Sequence, residues 1–326
     1  MPLSRRLQYY RRIFRAYLTP GESQLTFWHE VPEANPQANY DQLGPYFMPF
    51  AAKADYQGQF DASGIPLLNY HGQIGAQYNP IAIAQYGLGN YNLFAQTREA
   101  ERKKRFLTAS NWLRDHLEKN EGGFSVWMHH FDWEYRDTLK APWYSGLAQG
   151  QGVSLLVRAH AETGDESYLS AAVQAFESFF HRVQEGGVIF TDERGNDWVE
   201  EYLVTPPTHI LNGFVWASWG VYDFMLATGD ERAKRQFTKF TRTLLRNLDD
   251  YDFRFWSLYE QSGTLLKMVA SPFYHRLHIV QLRIMQRMTG EAKFGEVADR
   301  WQEYAESRVK RMAALCYKSA FKVCYY

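Results

Sequence analysis

Thr205-Pro206-Pro207-Thr208-His209-Ile210-Leu211-Asn212-Gly213-Phe214 opens a helical pattern that Thr228-Gly229-Asp230 closes. Proline suits the first turn of a helix, where its missing N–H is not needed, and glycine suits the position just past the last turn. The same punctuation recurs along the chain. Asn79-Pro80, Ala141-Pro142 and Ser271-Pro272 mark further helix starts, with proline spacings of 142 − 80 = 62, 207 − 142 = 65 and 272 − 207 = 65. Thr163-Gly164-Asp165 and Thr289-Gly290-Glu291 mark further ends, spaced 228 − 163 = 65 and 289 − 228 = 61. Each end leads into a second, more polar helix, expected over 166–182, 231–248 and 292–308. The first unit is looser, with Gly87-Leu88-Gly89-Asn90 and the basic run Arg102-Lys103-Lys104-Arg105 between its helices.

A two-helix unit repeated four times predicts a mostly α protein of the (α/α)4 toroid type, inner apolar helices ringed by outer amphipathic ones. The segments 120–141, 184–205 and 249–271 each lead to the next inner helix. They are therefore expected to gather where the inner N-termini converge, a location that favours anions. This catalytic toroid is expected over 80–310, followed by a tail over 311–326. Before it, residues 21–79 are rich in Gly, Pro, Asn and Asp between short aromatic runs, which reads as an extended arm with one or two β-hairpins. Leu3, Leu7, Tyr10, Phe14 and Tyr17 recur at helical spacing among five arginines, predicting a basic amphipathic helix over 1–20. That helix either packs on the domain or lies on an anionic membrane surface. It has neither the apolar run of a signal peptide nor that of a spanning helix, so a cytoplasmic or membrane-peripheral location is expected.

Among the 326 residues, Lys+Arg and Asp+Glu balance at 36 each, so no global field draws the chain to nucleic acid and an anionic partner must be held by a local patch. Hydrophobic residues make up 45%, enough for a substantial core. Aromatic residues make up 17%, which suits either sugar stacking or an aromatic core. Cys316 and Cys324 match no metal or redox motif, although they could pair.

The interhelical segments concentrate the chemistry. The first carries His129, His130, Arg136, Lys140 and Tyr144, the second Asp197, Glu200, Glu201 and Tyr202, and the third Arg254, Tyr259 and Glu260, followed by Tyr274, His275, Arg276 and His278. Loops this long in a compact domain usually serve function. Single motifs within them are weak. Glu200-Glu201 on its own reads more readily as a wet loop edge than as a catalytic acid. His275 and His278, at i, i+3, suit hydrogen bonding or proton transfer better than a metal, since no third ligand is assignable. Gly150-Gln151-Gly152 lacks the strand and lysine of a phosphate loop and reads as close helix packing.

Several blocks carry a resemblance. Gln77-Tyr78-Asn79-Pro80 through Leu88, Pro142-Trp143-Tyr144-Ser145 through Gln151, Glu201-Tyr202 with Leu211-Asn212-Gly213-Phe214, and Tyr274-His275 with His278 and Gln281-Leu282 resemble the D-glucuronyl C5-epimerases. The likeness runs from about residue 40 to 305, in the family's order. It implies a helical toroid that converts D-glucuronate to L-iduronate within heparosan or N-sulfoheparosan, without a cofactor or metal, and it implies a homodimer formed through the arm. It also implies Glu201, Tyr202, Tyr259 and Tyr274 as catalytic residues. The expected substrate contacts are Tyr78, Asn79, Gln85, Tyr144, Gln149, Gln151, Asn212, Arg254, His275, Arg276 and His278. Two departures stand out. The β-rich domain of animal members is replaced by residues 91–105, and Gln261 and Ser262 stand where those members have an arginine. Arg254, Arg276, Lys140 and Arg136 are then the candidates to neutralise the substrate carboxylate.

The implied chemistry fits these residue types. Inverting C5 requires removal of a proton α to a carboxylate and its return from the other face, hence one proton-transfer group per face and donors on the carboxylate. A polysaccharide lyase, a toroidal glycoside hydrolase and a non-catalytic polysaccharide-binding protein are the rival readings.

Overall fold

The computed structural model describes residues 27–28, 30–70, 74–136 and 138–325. The expected helix over 1–20 lies outside them. Helices alternate with loops in the expected order: α1 (Pro80–Thr97), α2 (Ala100–Asp115), α3 (Gly146–Thr163), α4 (Glu166–Phe176), α5 (Leu211–Thr228), α6 (Glu231–Asn247), α7 (Pro272–Thr289), α8 (Ala292–Glu306) and α9 (Arg308–Tyr325). The first eight are consecutive αα-hairpins, so the protein is mostly α with the (α/α)4 helix order.

Helix ends follow the Thr-Gly-acid signals closely. Gly164, Gly229 and Gly290 have φ of 70°, 68° and 74°, the left-handed conformation that closes a helix at little cost when no Cβ is present. Starts agree at Pro80 and Pro272, where Asn79 and Ser271 accept hydrogen bonds from first-turn amides. Two starts differ. Pro142 and Pro207 stand four residues ahead of α3 and α5, because the residues between are used otherwise. Trp143–Tyr144 pairs with Met128–His129 as a short antiparallel ladder, and only then does Ser145 cap α3 by accepting from Ala148 N–H. Ahead of α5, Gln261 N–H donates to the Thr208 carbonyl and Leu211 N–H to that of Tyr259. The outer helix expected over 166–182 ends at Phe176 in a 3₁₀ turn, Glu177–Phe180. Residues 311–325 of the expected tail belong to α9, on which Cys316 and Cys324 are free and exposed. Eight residues apart on one helix, they stand about 12 Å apart and do not pair with each other.

The chain divides into two compact units. One comprises Asn35–Pro207 and Gly213–Thr243; the other takes in Thr208–Asn212 and Leu244–Tyr326. In the first, Gln59–Phe60, Pro66–Tyr70 and Gly75–Gln77 form a three-stranded antiparallel meander. Its core is helix against helix. At Gly150 of α3 an added Cβ would lie 2.5 Å from Ala217 Cα of α5, so only glycine permits this approach. Nearby, Arg158 and Asp223 form a fully buried bidentate pair, with Nη1–Oδ2 at 2.6 Å and Nη2–Oδ1 at 2.9 Å. The guanidinium also donates to the Gly44 and Ser154 carbonyls and lies over the Tyr46 ring. Burial opposes its charge, but the Asp223 carboxylate more than offsets this and holds the Arg158 pKa above its ordinary value.

In the second unit α7 and α8 form the hairpin. α9 packs on the loop ahead of α7: Lys318 Nζ donates to the Val269 carbonyl, while the Tyr317 hydroxyl accepts from Lys267 N–H. Among the described residues no helix is long and apolar enough to cross a membrane.

Candidate active site

In the first unit the loop ahead of α5 is held rigidly. Ile189–Thr191 pairs with Asp197–Val199, Glu200 N–H donates to the Val188 carbonyl, and the Glu200 carbonyl accepts from Gly146 N–H at the start of α3. Glu200 and Glu201 are 1% and 6% exposed, so the wet-edge reading does not hold. The Glu201 side chain lies against Gly213, the third residue of α5; a Cβ there would come within 2.8 Å of Glu201 Cβ and 3.0 Å of its carboxyl carbon. Glycine therefore makes room for a carboxylate on the first turn of a helix, a place that favours negative charge.

Tyr202, half-buried beside it, lies in a column of rings. Its ring is 4.5 Å from that of Tyr135 and 5.8 Å from that of Trp143, which stacks at 3.8 Å on the buried His129. Arg136 Nη2 donates to the Pro206 carbonyl at 2.9 Å, tying this cation to the Tyr202 loop. Lys140 instead pairs with Asp132 at 2.5 Å.

In the second unit Tyr259 and Tyr274 meet edge to face, with centroids 4.8 Å apart. Tyr259 is fixed through its backbone, its N–H donating to the Met268 carbonyl. Tyr274 sits in the first turn of α7, where its N–H donates to the Ser271 hydroxyl. Behind them lies a second buried His–Trp stack, His275 on Trp256 at 3.9 Å. The Ser257 hydroxyl joins His275 Nδ1 at 2.8 Å and His278 Nδ1 at 3.0 Å, and His275 Nε2 meets the Trp301 carbonyl at 3.0 Å. Ser257, a lone serine in a loop, carries no signal in the sequence.

The expected substrate contacts divide by environment. Gln149, fully buried, spends its amide on Trp127 N–H, the Ser125 and Ala175 carbonyls and the Ser178 hydroxyl, so it braces the frame rather than facing a substrate. Asn79 is the cap of α1. Tyr78 donates to Asp61 and stacks on Trp112. Tyr144 donates to the Gly186 carbonyl. Gln85 and Gln151 are buried and bonded to each other at 3.0 Å. Asn212 is buried and its carbonyl accepts from Gln281. His275 and His278 are buried, whereas Arg254 and Arg276 are exposed. Arg276 follows Tyr274 by two positions, a spacing at which helical side chains do not face one another. Among the described residues no cluster of three or more His, Cys, Asp or Glu is arranged to hold a metal ion.

Burial pushes the His129 and His275 imidazoles down to about 3 and His278 well below its ordinary value. An imidazole that ionises near pH 6.5 when unfolded and near pH 3 when folded leaves the unfolded state binding more protons between those values. Stability therefore rises with pH across that window and is lost as pH falls below about 6.5. Each such histidine is expected to cost about 2 kcal/mol between neutrality and about pH 5. Urea unfolding at the two pH values checks this, and equal midpoints would contradict it.

Gly213 offers a second check. Gly213→Ala adds one methyl against Glu201 at a helical position that tolerates alanine. The variant is expected to fold while any activity depending on Glu201 falls by about 10²-fold, since a shift of about 1 Å costs that much. Undiminished turnover by a folded variant would remove Glu201 from the site.

Acid beside phenol in one unit, and phenol beside phenol in the other, on a scaffold of αα-hairpins, are groups suited to moving protons. The chain's relatives show where it belongs. The profile described as D-glucuronyl C5-epimerase C-terminus matches residues 119–303. The chain is a member of the D-glucuronyl C5-epimerase family. It is 32% identical over 223 residues to the D-glucuronyl C5-epimerase of Caenorhabditis elegans, covering 64% of this chain and 36% of that protein. An uncharacterized protein of Methanocaldococcus jannaschii is 28% identical over 217 residues, covering 63% of this chain and 69% of that one. The chain thus spans about a third of the length of its worm relative. Among solved structures, an unsaturated glucuronyl hydrolase of Bacillus sp. GL1 matches with a TM-score of 0.46 and 13% identity, over 69% of this chain and 61% of that one.

Proposed function

We propose that the protein is a polysaccharide uronate 5-epimerase that converts D-glucuronate to L-iduronate within a heparosan-like chain. The observation that supports this best is the Glu201–Tyr202 pair, its carboxylate buried on the first turn of α5 and its phenol braced by Trp143 and Tyr135. In this reading Glu201 or Tyr202 serves one face of C5 and Tyr259 or Tyr274 the other. A phenol is a poor base at its ordinary pKa of about 10 but a good acid for reprotonating an enolate-like intermediate. Arg136 is the cation we assign to the substrate carboxylate, because it is anchored to the Tyr202 loop. Neutralising that carboxylate is what makes C5 acidic enough to lose its proton. Homodimerisation and contact with a membrane surface through residues 1–20 belong to the same proposal.

Incubating the protein with heparosan and recording the product by NMR tests it. Iduronate signals with unchanged chain length support epimerisation. Shorter chains ending in an unsaturated uronate would replace the proposal with a lyase, and new reducing ends without unsaturation with a hydrolase.

A further inference from the structure

The outer helix α6 carries six basic residues, Arg232, Lys234, Arg235, Lys239, Arg242 and Arg246, against one acid, Glu231. In a chain whose charges balance overall, this is a local excess. Elsewhere the cations of the outer helices are largely matched: Arg102 with Asp55 at 2.8 Å, Lys103 with Glu162 at 2.5 Å, Arg105 with Glu101 at 3.0 Å, and Lys293 with Asp249 at 2.6 Å. On α6 Arg232 pairs with Glu177 at 3.0 Å. Lys234 and Lys239 have looser ones, each at 3.7 Å, in Glu231 and Asp197.

Arg235, Lys239 and Arg242 are exposed and fall at i, i+4 and i+7, so they form one row about 10 Å long on a single face. Like charges at this spacing repel and weaken the helix by a few tenths of a kcal/mol per pair. The cost is tolerated because the opposite face is anchored, with Ala233, Phe237 and Phe240 buried. Phe237 packs on Tyr222 and Phe240 on Phe214 of α5.

We propose that the Arg235–Lys239–Arg242 row is a binding surface for anionic polysaccharide, holding the substrate polymer away from the reacting residue. It rests on the polysaccharide reading above and extends it. A row of separate cations, backed by a helix whose apolar face is already committed to the core, suits a flexible carboxylated chain. A membrane-binding helix would instead need that apolar face for insertion, and no large apolar side chain of α6 is exposed.

The test compares the wild type with Arg235→Ser/Lys239→Ser/Arg242→Ser in fluorescence anisotropy with labelled heparosan, as long chains and as a hexasaccharide, across a salt series. Long-chain affinity of the triple variant is expected to fall at least about 10-fold at low salt, and the slope of log K against log[salt] to flatten by up to about 2. KM for long chains should rise while kcat/KM for the hexasaccharide stays unchanged. Wild-type affinity and slope in the variant would overturn the inference. So would loss of binding to phosphatidylserine vesicles with heparosan binding intact, which would make the row a membrane contact. The binding arm needs no turnover: salt-sensitive binding lost in the variant of a protein that never epimerises would sink the proposed function and leave this surface standing.

Discussion

Tyr202→Phe is expected to lower epimerisation of heparosan by about 10²- to 10⁴-fold, the range contributed by a positioned proton-transfer group. The substitution removes one hydroxyl and keeps the ring, so the packing on Trp143 and Tyr135 survives and the fold is not at stake. Tyr274→Phe is expected to behave likewise, because the ring contact with Tyr259 does not depend on the Tyr274 hydroxyl. If the two phenols serve opposite faces of C5, the double variant should fall little further than the worse single one, since a reaction already blocked on one face gains nothing from the other. Thermal unfolding of each variant alongside the wild type separates lost chemistry from lost structure. Full turnover by either single variant would remove that tyrosine from the mechanism.

The largest effect on stability is expected at the Arg158–Asp223 pair. Asp223→Asn leaves a guanidinium buried without its counter-charge, a change that typically costs 3–5 kcal/mol, about a third or more of an ordinary domain's stability. The pair bridges α3 and α5 and ties the Gly44 backbone to them, so the loss should appear as a lower urea midpoint of the whole unit rather than a local fraying. Removing both charges together, as Arg158→Met/Asp223→Leu, is expected to be milder than the single change, because no unpaired charge remains inside. A single variant within about 1 kcal/mol of the wild type would contradict the assignment.

These two features were unequally legible in the sequence. The hairpin order could be read from Thr-Gly-acid and proline spacing, since both report local backbone chemistry. The same spacing misplaced the starts of α3 and α5 by four residues, because tertiary pairing of Trp143–Tyr144 and a serine cap overrode the proline signal. Arg158 and Asp223 carry no motif of their own, yet they are 223 − 158 = 65 apart and occupy equivalent positions on successive inner helices. Gln85 and Gln151, 66 apart, are also equivalent and also bonded. Aligning the repeats on one another would have revealed both pairs.

Glu201 and Tyr202 were picked out by resemblance, and their surroundings were not. Burial of adjacent carboxylates depends on the Glu200 backbone bond to Gly146 and on the space left by Gly213, neither visible in composition. The histidines show a different gap. Hydrogen bonding was among the roles read for His275 and His278, and both bond to Ser257, but the burial of these two and of His129 has no signal in the sequence.

Incubation of heparosan with the protein in heavy water tests the central claim most directly. Deuterium at C5 of the newly formed iduronate, with chain length unchanged, is the predicted result. Product with protium retained at C5, or chains that shorten as exchange proceeds, would contradict it.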